Sequence, residues 1–268
     1  MTSGKIKYNP YAIFKESRTP PGLYARQKWL NEGKSKRYRA DFNNTVADLK
    51  FIGIDFKERS GRVLDVLHRL FGLHLTVREM DPFINTALGE LIVECNGRLP
   101  KIKRTLIPDQ IRGLPFAATR WEFFIVPATL FLSSIFGKTD DPQIKILYDK
   151  LASDAMDSTA FRRNPAAMHN ALRALVVHPG KDYRSATESA VSWMFDRQTA
   201  KGDWGPMIPF YQAVNALAHL NFPETSAQFK KALLHLIASQ NIDGSWGSAD
   251  KEWQTFLVVH ALRNKGVL

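Results

Sequence analysis

An all-α fold, an α/α toroid built from paired helices, is what the sequence predicts, and three observations predict it. The first is an internal repeat: Gln198-Thr199-Ala200-Lys201-Gly202-Asp203-Trp204-Gly205 returns as Gln240-Asn241-Ile242-Asp243-Gly244-Ser245-Trp246-Gly247, a period of 240 − 198 = 42 residues. A fixed period of this length marks stacked supersecondary units. The second is that each block lies between an amphipathic segment and a segment that is apolar on most sides. The third is that no stretch shows the period-two alternation of a strand.

The elements follow in chain order. Phe123–Phe136 is an apolar run shorter than the ~20 residues a membrane span needs, and Pro127 interrupts it, so a buried core helix is expected. Asp140-Asp141-Pro142 reads as a helix start, and Pro142, Tyr183 and Glu224 each open an amphipathic segment, 41 residues apart (183 − 142 = 41 and 224 − 183 = 41). Asn164-Pro165 reads as an N-cap and first helical residue before an apolar helix over 166–177. The outer, amphipathic helices are expected at 188–195 and 229–237. Inner helices, apolar nearly all round and so enclosed, are expected at 213–220 and 255–262. Gly202 and Gly244 permit the tight turns between them, and Trp204 and Trp246 plug the seams. A period of 42 divides 268 residues into roughly six hairpins.

Composition sets outer limits. A chain that is 44% hydrophobic and 24% charged folds, and its lone Cys95 excludes a disulfide framework or a multi-thiolate metal site. The N-terminus has no apolar signal-peptide core, so a cytoplasmic location is expected, with attachment to a membrane surface compatible with the charge. The net charge is +11, and it is concentrated: residues 5–39 carry ten Lys/Arg against Glu16 and Glu32, densest at Lys34-Ser35-Lys36-Arg37-Tyr38-Arg39. Residues 1–40 are therefore read as a basic arm packing on or near a toroid of residues 41–268. Such an arm attracts phosphates or anionic surfaces. No nucleic-acid-binding signature accompanies it, so nucleic acid is not an expected partner. Nucleotide-binding and serine-hydrolase motifs are absent as well.

The pattern Gln-x-x-x-Gly-x-Trp after an amphipathic helix, at Gln198, Gly202 and Trp204 and again at Gln240, Gly244 and Trp246, resembles the QW motif of the prenyltransferase/squalene-oxidase repeat. Squalene–hopene and oxidosqualene cyclases, class II diterpene cyclases and protein prenyltransferase β subunits carry related repeats. The two clear copies span residues 184–265, and weaker hairpins extend the likeness back to about residue 120. The resemblance implies a toroid in which Gln198, Trp204, Gln240 and Trp246 brace helices rather than do chemistry. It also implies an isoprenoid ligand, a prenyl diphosphate or a related amphiphile, in an apolar bore. Class II cyclases protonate their substrate with the middle Asp of Asp-x-Asp-Asp-Thr-Ala. Here Ala155-Met156-Asp157-Ser158-Thr159-Ala160 puts Asp157 at that place, with Asp154 as a neighbouring carboxylate, though Ala155 and Ser158 replace the flanking aspartates. The register places Asp157 upstream of the inner helix, in a connecting loop. The zinc-dependent prenyltransferase pattern does not fit, since Cys95 has no Asp two residues away.

Geometry adds an expectation of its own. Inner helices of a toroid run parallel, so their N-termini converge on one mouth that favours an anion. Arg120, Trp121, Asp157, His169, Tyr211, Gln212, Trp253 and Gln254 are the residues expected there, as ligand-binding groups beside an apolar bore. The aromatic rings among them would suit an isoprenoid chain and its carbocations. No cofactor is expected, and Mg2+ only with a bound diphosphate; His169, His219 and His260 do not fall at equivalent registers for a metal. One toroid is too short to enclose a substrate as two-domain cyclases do, so a homodimer or partner domain would close the bore. Two other readings stand beside this one: a non-catalytic toroid that binds an anionic partner, and a lyase or hydrolase acting on an acidic polysaccharide.

Overall fold

In a computed structural model of the chain, the residues described are 6–18, 22, 25–30, 126–135, 139–140, 142–157, 159–248 and 251–268. They are all-helical, with no strand among them. The elements are α1 (Val126–Ile135), α2 (Pro142–Asp157), α3 (Thr159–Arg163), α4 (Pro165–Val176), α5 (Arg184–Phe195), α6 (Phe210–Ala218), α7 (Pro223–Ser239) and α8 (Lys251–Asn264). Short 3-10 and π-helical turns at Ala12–Phe14 and Ala25–Leu30 precede them. The chain divides into two compact units, Phe56–Ala190 and Met1–Asp55 with Val191–Leu268, and α5 crosses the boundary.

Local chemistry explains where the helices start. Asn164 is extended, and its side-chain oxygen accepts the Ala167 amide at 3.1 Å ahead of Pro165, as the sequence predicts for α4. Pro223 opens α7, with Glu224 in its first turn, where the helix dipole favours a carboxylate. Glu252 and Arg263 stand at the favourable ends of α8. A buried helix stands where the apolar run predicts one: α1 contains Pro127, and Val126, Leu130 and Phe131 are buried. No described helix is long and apolar enough to cross a membrane.

In the unit Phe56–Ala190, the core joins α1, α2 and α4. Leu130 and Phe131 of α1, Ile144, Leu147 and Leu151 of α2, and Met168, Ala171, Leu172 and Leu175 of α4 are buried. Tyr148, fully buried, ties the three helices together. Its hydroxyl lies 2.5 Å from Ser134 Oγ, 2.9 Å from the Leu130 carbonyl and 3.1 Å from the Ala174 carbonyl. Its ring stacks on Tyr183 at 5.2 Å, and Tyr183 donates to Asp149 at 2.9 Å. Burial pushes the Tyr148 hydroxyl up, with the Ser134 bond opposing.

In the other unit, residues 42 apart make the same bonds. The Trp204 indole donates to the Met194 carbonyl at 3.1 Å, and the Trp246 indole to the Leu236 carbonyl at 2.8 Å. Each acceptor is in the last turn of its helix, so the indole adds a hydrogen bond at the helix end while its ring seals it; the Met194 carbonyl also accepts the Arg197 amide at 3.1 Å. Gln198 Nε2 donates to the Gly202 carbonyl at 2.9 Å, and Gln240 Nε2 to the Gly244 carbonyl at 3.0 Å. Gly202 and Gly244 have φ of 91° and 85°, which glycine adopts without strain. The helices that follow, α6 and α8, lie side by side and run parallel. Asn215 donates to the Leu257 carbonyl at 3.2 Å, and four residues further on Asn264 meets His219 at 3.0 Å.

Candidate functional site

Tyr211 and Gln212 sit, half-buried, in the first turn of α6, and Trp253 and Gln254 in the first turn of α8. Because the two helices are parallel neighbours, these helix starts belong to one end of the pair. The turn at Gly247 binds them: its φ is 81°, Gln254 Oε1 occupies the space a Cβ there would need, and its amide lies against the Tyr211 hydroxyl. Asn241 Nδ2 donates to the Gly247 carbonyl at 3.0 Å. Burial raises the Tyr211 hydroxyl, and the Gly247 amide works against it. Gln254 Oε1 is buried with no hydrogen-bond partner. Phe210 meets Tyr211 edge-on at 5.4 Å, and Trp253, 2% exposed, stacks on Phe256 at 5.8 Å. At this end Trp253 is buried, while Phe210 and Tyr211 are half-buried.

Deeper along the same pair is a polar cluster that the sequence did not single out as a set. Asn215 of α6 and His219, which caps its C-terminal end, face His260 and Asn264 of α8, with Asn215 Nδ2 3.1 Å from His260 Nδ1. The two imidazoles lie 5.2 Å apart. The only sequence signal is the i, i+4 placement of one Asn and one His on each helix, in opposite order. Lys265 donates to the Asn221 side chain at 3.4 Å and to the Leu220 carbonyl at 2.6 Å, closing the far end.

The remaining expected site residues belong to the other unit or lie outside the described residues. Arg120, Trp121, Cys95 and the basic run 34–39 are outside them. Asp157 is the last residue of α2, not a loop residue, and its side chain is exposed. Asp154 pairs with Lys150 at 2.9 Å one turn back, not with Asp157; a partly exposed i, i+4 pair contributes about 0.3–0.5 kcal/mol. Arg162, from α3, reaches back to the Met156 carbonyl and to Ser189 Oγ, which lies 3.0 Å away. Among the described residues, no group of three or more His, Cys, Asp or Glu side chains is placed to hold a metal ion.

His169 stands on α4 with no exposed surface and no hydrogen-bond partner on either ring nitrogen. Arg173 lies one turn on, 4% exposed, with its guanidinium 5.3 Å from the centre of the Phe131 ring. Burial brings the Arg173 guanidinium down to about 9. Burial, then the Arg173 charge, holds His169 well below the ordinary imidazole value of 6.5. Burial, then His260 and Lys265, does the same to His219.

The sign of the pH dependence follows. Both imidazoles are neutral in the folded chain and take up a proton near 6.5 when it unfolds, so the unfolded state binds more protons below that value. Their contribution is fully present above 6.5 and is lost as pH falls through and below it. The unfolding free energy from guanidinium titration is expected to hold steady from about pH 8 to 7, then fall by up to about 1.4 kcal/mol per pH unit per histidine. His169→Leu should flatten that fall, and an unchanged slope in the variant would refute the assignment to His169. Asp243 acts in a separate window: the Ser245 hydroxyl, then the Ser245 amide and Lys251, hold it at about 2, so its contribution is lost only on further acidification.

No protein-family model, no curated protein and no solved structure matches this chain.

Proposed function

We propose that this chain is a single α/α toroid that binds an isoprenoid, a prenyl diphosphate or a related anionic amphiphile, without acid catalysis by Asp157. The observation that carries the reading is the equivalence of two hairpins 42 residues apart. Their glutamines and indoles brace helix ends with the same bonds, and their second helices run parallel. That arrangement fits the bracing role the QW resemblance implies, and it brings Phe210, Tyr211 and Trp253 to one end of the α6–α8 pair. The net charge of +11 suits an anionic headgroup. The exposure of Asp157 speaks for binding over protonation.

Native mass spectrometry of protein purified from a lipid-containing host, followed by a panel of prenyl diphosphates, tests this. The expected result is a retained or added isoprenoid mass with no turnover. Asp157→Asn should change affinity less than twofold and stability by under about 0.5 kcal/mol, as for an exposed surface position. Turnover that Asp157→Asn abolishes would establish a cyclase instead. Absence of any bound isoprenoid would leave the non-catalytic module for an anionic partner as the function.

A further inference from the structure

The N-terminal segment makes, on the second repeat, the contacts that α7 makes on the first. Gln198 Nε2 reaches beyond its own turn to the Gln228 carbonyl of α7 at 2.9 Å; Gln240 Nε2 reaches to the Tyr8 carbonyl at 3.0 Å. Gly202 lies so close to the Lys231 carbonyl of α7 that a Cβ would overlap it, and Gly244 stands in the same relation to the Asn9 carbonyl. On the second repeat the fit is fuller: Gln240 Oε1 also accepts the Lys7 and Tyr8 amides, at 3.1 and 3.0 Å. The chain then runs along α8. Ser17 donates to Glu252 at 2.7 Å near its start, and Arg263 donates to the Tyr11 hydroxyl at 3.2 Å near its end. The π-helical turn at 25–30 lays Trp29 flat on Phe256, 4.8 Å between rings and 16° between planes. Trp253, Phe256 and His260 thus form a row of rings on α8, and Trp29 packs on Phe256 and against His260.

We propose that residues 6–18 and 25–30 stand in for the two arms of a further repeat and close the last repeat as a clasp, and that opening it bares the aromatic row of α8 to the prenyl chain of the ligand. The segment supplies an outer-helix substitute first, at residues 7–9, and an inner-helix substitute second, at 25–30, which is the order of each repeat. Its grip on Gln240 is made by backbone groups, which water can satisfy equally well once the segment lifts, so release leaves no buried polar group orphaned. Local opening of such a unit is cooperative, exposing all its amides together. The gating half of the proposal rests on the isoprenoid reading above; the clasp half does not.

Hydrogen exchange on the full chain separates the two. Trp29→Ala leaves the Gln240 turn untouched, yet it should speed exchange of the Lys7 and Tyr8 amides at least tenfold, because the segment opens as one body. Gln240→Ala should do the same, and Gln198→Ala, which removes the equivalent bonds in the first repeat, should not. Titration with farnesyl diphosphate should then show binding about tenfold tighter in Trp29→Ala than in the unaltered chain. Unchanged exchange at Lys7 and Tyr8 in Trp29→Ala overturns the clasp. Faster exchange with unchanged affinity overturns the gating and leaves the ligand reading standing. No binding to any of these proteins overturns the gating and the ligand reading together, while exchange still decides the clasp.

Discussion

Trp246→Ala is expected to lower the unfolding free energy by about 4–5 kcal/mol, near the upper end for emptying a large aromatic site. The ring has no exposed surface, so its removal leaves a cavity walled by helices that cannot collapse freely. The indole N–H also satisfies the Leu236 carbonyl at 2.8 Å, in the last turn of α7, where no amide of the helix can replace it. Trp204→Ala, at the equivalent place, should cost about 3–4 kcal/mol, since its ring is 5% exposed and water reaches it more readily. Trp246→Phe separates the two effects: most of the packing stays, and the loss should drop to about 1–2 kcal/mol for the lost indole bond, the Leu236 carbonyl keeping only Ser239 Oγ at 3.5 Å. Guanidinium unfolding followed by far-ultraviolet circular dichroism measures all three. A Trp246→Ala loss below about 1 kcal/mol would mean that the repeat turn does not brace the helix end.

That expectation was open to sequence reasoning because everything it uses is local. Gln, Gly and Trp within seven residues, repeated after 42, specify a turn, a helix end and a plug, and each of those bonds spans ten residues or fewer. The Asn164-Pro165 start of α4 was legible for the same reason. Asp157 was less legible: its flanking residues resemble an acid motif, but the exposure of its side chain is set by what packs around it, not by neighbours in sequence. The clasp was the least legible feature. Gln240 is bound by main-chain groups of Lys7 and Tyr8, which every sequence possesses, across a separation of more than 200 residues. The segment's evident sequence feature is its charge, whereas Tyr11, Phe14, Ser17 and Trp29 make its contacts with one another and with α8.

The two turn glycines convert this difference into a measurement. Gly202→Ala and Gly244→Ala force the same left-handed backbone on a residue with a Cβ, at φ of 91° and 85°, a strain of about 1–2 kcal/mol each. Beyond that they part. The new methyl at position 202 meets the Lys231 carbonyl, in the middle of α7, and the helix cannot yield there without losing ladder bonds. The total loss should be about 3 kcal/mol or more, on the order of a core defect. At position 244 the methyl meets the Asn9 carbonyl, in a segment that can lift away. Global stability should then fall by only about 1–2 kcal/mol, the backbone strain alone, while trypsin cuts faster after Lys7 and Lys15. Paired measurement of unfolding midpoint and N-terminal cleavage rate checks this. Equal losses with no change in cleavage would show that residues 7–10 are held as firmly as α7, and that the last repeat is closed by a permanent member of the fold.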